Sequence, residues 1–132
     1  MTAGLATSLV SGWLNTLRAA GSAYSAVAAT YVQLHTGDPG AAGTSNISVG
    51  STTRNSFTFA SSSSGSALAL SSAPSAWTNG GTSETLTHIS AWTASTGGTL
   101  LFTVALTASK AWGSADTFTI STLTAALTPQ AA

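Results

Sequence analysis

The spacing of apolar residues changes once along the chain, from a helical period to a period of two. Near the N-terminus, leucine and tryptophan recur at every fourth position, at Leu5, Leu9, Trp13 and Leu17. Residues at this interval lie on one face of an α-helix. The pattern therefore predicts an N-terminal amphipathic helix that either packs on the protein's own sheet or docks on a neighbouring subunit. Its expected caps are Thr2 and Gly21.

From residue 30 onwards, apolar and polar side chains alternate, as they do in half-buried β-strands. Turn signals rich in glycine separate the segments, most clearly at residues 36–40, 79–81 and 95–98. The predicted strands are residues 30–36, 54–60, 84–93 and 99–107, with further short strands at residues 67–70 and 76–78. In segment 84–93 the alternation predicts Leu86, His88 and Trp92 on one face, opposite Ile89 and Ala91. Strands this short and this closely spaced favour an antiparallel sandwich or barrel.

These elements predict a mainly β fold, an antiparallel β-sandwich or barrel-like domain with an N-terminal amphipathic helix. The 132 residues are one domain's worth of sequence. We expect a helical arm over residues 1–21 and a β-sandwich over residues 28–128, within a single domain that spans residues 1–132.

The chain carries very little charge. Three basic and three acidic residues give a net charge of zero, and charged residues make up 5% of the sequence, against about 25% in a typical domain. Three cations neutralise few phosphates, so neither nucleic-acid binding nor a polybasic membrane anchor is expected. The absence of cysteine excludes disulfide frameworks and thiol catalysis.

Hydroxyl side chains take the place of charge in this sequence. It contains 22 Ser and 23 Thr, and its mean hydropathy is +0.31. Because solubility normally rests on interspersed charges, we expect the surface to be covered by partners or hydrated through hydroxyl groups. A monomer coated with Ser and Thr is the alternative.

The sequence shows no catalytic constellation, so we expect no enzyme, no cofactor and no metal. A P-loop, a G-x-G-x-x-G motif and a G-x-S-x-G elbow are all missing. His35 and Asp38 are close enough in sequence to share a metal ion, but Asp38 precedes Pro39, where a carboxylate typically accepts backbone N–H groups of a turn. A small hydrolase or sugar-binding protein acting through Glu84 is the least favoured alternative.

The four tryptophans favour either core filling or an exposed aromatic site. Trp77 stands between Pro74 and the turn at residues 79–81, and we expect it to be the most exposed of the four.

Two stretches resemble a family of small tailed-phage structural proteins, often labelled phage tail fibre or minor structural proteins. They occur in phages and prophages, many of them from actinobacteria. The first stretch is Tyr31–Thr44. The second runs from Thr87-His88-Ile89-Ser90-Ala91-Trp92 through Gly97-Gly98 and Ala105-Leu106-Thr107 to Ser109-Lys110 and Gly113–Thr117. The family has a Gly-Asp-Thr turn here, whereas this chain has Ala115 at the glycine position.

The resemblance implies a non-enzymatic virion protein, and the composition favours one held in a symmetric array. Our first hypothesis is a capsid decoration protein that stabilises the head lattice, with the major capsid protein and copies of itself, as a homotrimer, as partners. The alternative is a minor tail protein or tail-fibre module that contacts the host. The candidate interface residues are Leu5, Leu9, Trp13, Leu17, Gly37, Asp38, Pro39, Gly40 and Trp77.

Overall fold

A computed structural model describes residues 4–18, 24–61 and 67–126. It contains one helix, α1 (Thr7–Asn15). The strands in chain order are β1 (Thr30–His35), β2 (Asn55–Phe59), β3 (Ala67–Ser72), β4 (Trp77–Thr78), β5 (Glu84–Trp92), β6 (Leu100–Trp112), β7 (Thr117–Phe118) and β8 (Thr124–Ala126).

Six of these strands form one antiparallel sheet that curls into a half-barrel. Their order is β6-β5-β1-β2-β3-β8, while β4 and β7 pair with each other as a separate two-stranded sheet. The predicted mainly β class with an N-terminal helix is confirmed, and the curled sheet is the barrel-like form of the prediction. The division into residues 1–21 and 28–128 stays a prediction; the described strands run from residue 30 to residue 126.

The inner face of the sheet carries the apolar core. In the register of β1, β5 and β6, Val32 lies opposite Ala91, and Leu34 lies opposite Ile89. All four are at most 1% exposed. The core also takes in residues from β2, β4, the ends of β5 and β6, the helix and the segment after β7: Phe57, Trp77, Leu86, Leu101, Trp112, Leu9 and Ile120.

The outer face of β1 and β5 is buried as well, although it is mostly polar. Gln33, His35 and Ser90 alternate with the core residues of these strands, and each is at most 5% exposed. His35 bonds to residues 36–48, which we name the covering loop, whereas Gln33 bonds to Thr52 O and to Arg54. Beside them lies a second, small apolar cluster of Ala6, Trp92 and Leu100.

The expectation that Trp77 is exposed is wrong. The indole is 2% exposed in the core. Its Nε1–H donates to Thr53 O at 2.8 Å, and its ring packs on Phe118 with the centroids 6.2 Å apart. The flanking proline and glycine turn the chain back at this point, but β4 pairs with β7 and carries the side chain inward.

The predicted common face of Leu86 and His88 is also wrong. The register between β5 and β6 shifts between these two residues, so that Leu86 lies opposite Lys110 and His88 lies opposite Ala105. Such an irregularity changes which face a side chain occupies. Leu86 is therefore in the core, although it is an even number of positions from His88.

The helix is shorter than predicted. It begins after Ala6, whose side chain makes no capping hydrogen bond, and it ends at Asn15. The predicted caps Thr2 and Gly21 lie outside the described residues. Gly12, inside the helix, has a packing role, because a Cβ there would stand 2.2 Å from the ring of Tyr24.

Candidate functional site

Exposed apolar side chains are concentrated in the N-terminal region. Seven large apolar side chains are exposed among the described residues, and six of them lie between residues 5 and 27. On the arm, which we define as residues 4–18, Trp13 is 37% exposed, Leu14 60% and Leu17 82%. Concentration of apolar surface in one segment is typical of a docking surface rather than of a free exterior.

Backbone pairing fixes the first residues of the arm to the sheet. Leu5 forms an antiparallel bridge with Phe102 of β6. Ala6 N donates to Leu101 O at 2.8 Å, and Thr103 N donates to Gly4 O at 2.8 Å. These bonds extend the edge of the sheet by one short segment and set the start of α1 beside β6.

The predicted stripe of the arm divides between two environments. Leu9 is 7% exposed and packs in the core, whereas Trp13 and Leu17 face outward and Leu5 is 40% exposed. The helix thus packs on its own sheet through Leu9 and leaves the rest of the stripe uncovered. The structure does not place Leu9 on the exposed face.

The turn at Gly37–Gly40 is held by local hydrogen bonds. Gly40 N donates to Asp38 Oδ1 at 2.8 Å, and Asn46 Nδ2 donates to Asp38 O at 2.8 Å. The Gly40 N–H holds the pKa of Asp38 below its usual value. Asp38 therefore has the turn role that the sequence favours, while Pro39 beside it is buried.

The arm and the covering loop meet in space. A shallow cavity of about 130 Å³ is lined by residues 4–7 of the arm, by Gly40 and Ala41 of the loop, and by Leu100 and Thr103 of β6. This volume is below the ~300 Å³ of sites for drug-sized ligands. The structure thus brings two of the predicted interface segments together, around a cavity that suits a side chain better than a free ligand.

A chain of hydrogen bonds, which we call the polar relay, ties the covering loop to β1 and β5. His35 Nδ1 lies 2.8 Å from Ser45 O, which only accepts, so Nδ1 carries the proton. His35 Nε2 is then the acceptor, and Ser90 Oγ donates to it at 2.7 Å. Ser90 Oγ in turn accepts from Trp92 Nε1 at 2.8 Å.

The Ser90–His35 pair has the atoms of a nucleophile and a general base, but it is sealed. Both residues are 0% exposed, because the covering loop lies over them. Burial lowers the pKa of His35, which keeps the imidazole neutral. The sequence places His35 and Gln33 on the face opposite Val32 and Leu34. This polar face, followed directly by a long glycine-rich loop, is the feature of the sequence from which the relay could have been predicted.

Arg54 completes the outer face beside the relay. Its guanidinium carbon stands 3.8 Å from the centre of the Trp92 ring. Its Nε donates to Gln33 Oε1 at 3.1 Å, and its Nη1 donates to Ala94 O and Gly97 O. Arg54 thus joins the β5–β6 turn, through two hydrogen bonds, to Trp92 through a cation–π contact and to Gln33 of β1 through a third hydrogen bond.

Glu84, the acid of the hydrolase alternative, is engaged by the chain itself. Its carboxylate accepts the Ser48 hydroxyl and the N–H groups of Val49 and Gly50. It thus fastens the far end of the covering loop to the start of β5. In residues 4–18, 24–61 and 67–126, no three His, Asp or Glu side chains are grouped so that they could hold a metal ion.

In the part of the chain that the structure describes, no helix has the length and apolarity needed to span a membrane.

The comparison with protein families gives a match over nearly the whole chain. The family model described as Podophage GP4 fiber I protein gp80 matches residues 4–128. The match includes both stretches on which the phage resemblance rests, as well as the arm. A comparison with curated proteins found no match.

Proposed function

Since the chain belongs to the podophage GP4 fiber I protein gp80 family of phage virion structural proteins, we propose that it is a non-enzymatic fibre component that attaches to its neighbour in the virion through the arm. The single observation that carries the proposal is the uncovered apolar surface of the arm, with Trp13 and Leu14 exposed on α1 and Leu17 exposed just after it, in a segment whose first residues are fixed to β6.

The family description names a fibre protein, so it supports the tail-fibre alternative at least as well as the capsid decoration protein that we placed first from composition. The arm itself suits either position, because a fibre joint and a capsid lattice both bury apolar surface between subunits. The neutral, hydroxyl-rich remainder of the surface suits a protein packed closely with its own kind or with other virion subunits.

Copy number in purified virions separates the two positions. Quantitative mass spectrometry against the major capsid protein should give a small fraction of the capsid copy number if the protein belongs to a fibre. A ratio close to one would contradict the fibre assignment and support capsid decoration.

Attachment through the arm is tested with Leu14→Gln combined with Leu17→Gln. Both side chains are more than half exposed, so the fold should be retained while the apolar face is lost. We expect the variant to fail to enter virions in a complementation assay. Val49→Gln is the matched control, because Val49 is 68% exposed but lies away from the arm; incorporation of both variants at the wild-type level would contradict the proposal.

A further inference from the structure

The covering loop folds back on β1 through a short ladder of backbone hydrogen bonds. Thr36 N donates to Asn46 O at 2.9 Å, and Ser48 N donates to Leu34 O at 3.0 Å. Between these bonds, the His35 side chain reaches from β1 into the loop and donates to Ser45 O. The ladder therefore closes over an imidazole that is completely removed from solvent.

The polar relay works in one direction only. Each donor has one acceptor: Trp92 Nε1–H to Ser90 Oγ, Ser90 Oγ–H to His35 Nε2, and His35 Nδ1–H to Ser45 O. A proton added to His35 Nε2 would face the hydroxyl hydrogen of Ser90, which must then turn away from its acceptor. A buried polar hydrogen without an acceptor costs free energy.

The charged groups around His35 also oppose a second proton. His88 lies opposite it on β5, and both His88 and Arg54 act against a positive charge on its ring. The carboxylates nearby are engaged elsewhere: Asp38 accepts from Gly40 N, and Glu84 accepts from Ser48, Val49 and Gly50 at the far end of the loop.

We propose that the covering loop is an acid-sensitive clasp, closed by neutral His35 and opened when this imidazole gains a second proton. Opening separates Ser45 from β1 and gives the cation access to water. The inference stands independently of the fibre assignment, because it uses only the relay and the loop.

The sign and size of the effect follow from proton linkage. Burial holds the pKa of His35 in the closed loop below its ordinary value of 6.5. The open form therefore binds more protons below that pH, and the closed form loses stability as pH falls. Between 6.5 and the pKa of the closed form, the open population should rise about tenfold for each unit of pH.

Hydrogen exchange of the backbone amides tests the clasp. In the wild-type protein we expect the amides of Thr36 and Ser48 to lose protection as pH falls below about 6.5, after correction for intrinsic rates, by up to about tenfold for each unit of pH until the pKa of the closed form is reached. In His35→Gln this dependence should disappear. The matched control is His88→Gln, which leaves the hydrogen bonds of the relay intact and should keep the pH dependence, although the loss of one opposing charge should make His35 easier to protonate.

A measurement on the wild-type protein serves if His35→Gln does not fold. The ¹⁵N shifts of the His35 ring should show a neutral imidazole protonated at Nδ1, persisting at pH values where a solvent-exposed histidine is half charged. A ring that is half protonated at about pH 6.5, or loop protection that is unchanged with pH, would overturn the proposal. Equal loss of protection in wild type and His35→Gln would overturn it as well.

Discussion

The two faces of the central strand pair, β1 and β5, are both buried, but by different means. The inner face is covered by apolar side chains from seven other parts of the fold, with Val32, Leu34 and Ile89 at its centre. The outer face carries His35 and Ser90, and it is contacted by the covering loop, by Arg54 and by Ala6 at the start of the arm. Among the described residues, every buried polar side-chain atom has a hydrogen-bond partner.

The difference shows what each kind of burial can specify. Apolar contacts are non-directional, so those of the inner face stabilise the sheet without selecting one position for a loop. Hydrogen bonds have donors, acceptors and preferred geometry. On the outer face, the hydrogen bond from His35 to Ser45 O therefore holds the covering loop at one defined residue. Stability and positioning are thus assigned to opposite faces of the same two strands.

The largest expected effect comes from the inner face. Leu34→Ala removes a side chain that is 0% exposed at the centre of the core, and such truncations cost about 2–5 kcal/mol. Urea unfolding should show this loss as a lower midpoint with the slope unchanged. A loss of unfolding free energy below about 1 kcal/mol in Leu34→Ala would mean that the inner face is not the main source of stability.

The second prediction concerns the contact of the covering loop with the small cluster. Gly43 has φ +70, and a Cβ there would stand 2.6 Å from Leu100 and 2.9 Å from Trp92. Gly43→Ala should therefore cost about 1–3 kcal/mol through overpacking alone. Combining it with Leu100→Ala, which removes the nearest obstacle, should cost less than the sum of the two single changes in unfolding experiments. Strict additivity would show that the loop can move aside.

The third prediction concerns the polar relay. Ser90→Ala leaves Trp92 Nε1–H without its acceptor and His35 Nε2 without its donor, which should cost about 1–3 kcal/mol. Ser56→Ala, on the exposed side of β2, serves as the control and should change stability by less than about 0.5 kcal/mol. Equal unfolding midpoints for Ser90→Ala and Ser56→Ala would show that the hydrogen bonds of the outer face contribute no more stability than an exposed serine does.

The smallest expected effect lies outside both faces, in the turn after β6. Ala115 has φ 66, a conformation that favours glycine, and it stands where the resembling family has glycine. Ala115→Gly should stabilise the protein by about 0.5–1 kcal/mol, because relief of the strained backbone exceeds the added entropy of the unfolded chain. The melting temperature measures this gain, and a decrease would show that the Ala115 methyl group contributes contacts that offset the strain.

The inner face could be predicted from the sequence to a large extent. Alternation located β1, β2 and β5, and it placed Val32 and Leu34 together, because period-two patterns depend only on local geometry. Leu86 was misplaced, because the register shift that brings it to the core depends on β6, which continues to Trp112 beyond the alternating segment.

The outer face and the candidate site were harder to predict. The pairing of Ser90 with His35 joins residues 55 positions apart, and no local pattern carries that distance. The burial of Trp77 was missed for a related reason. It depends on the pairing of β4 with β7, and the turn residues around these two-residue strands obscure them in the sequence. The burial of Leu9 and the exposure of Leu17 likewise depend on how far the arm stays in contact with β6, a contact between distant parts of the sequence.

The attachment of the arm to β6 has a mechanical consequence. If a neighbouring subunit holds the exposed helix face, tension on the joint enters the domain at Leu101 and Thr103, where the backbone bonds of Ala6 and Gly4 are made. β6 is the longest strand, with 13 residues, and it is paired with β5 along most of that length. Because only a few hydrogen bonds join the first residues of the arm to β6, a pull on the arm should detach it from β6 before it separates the much longer β5–β6 ladder.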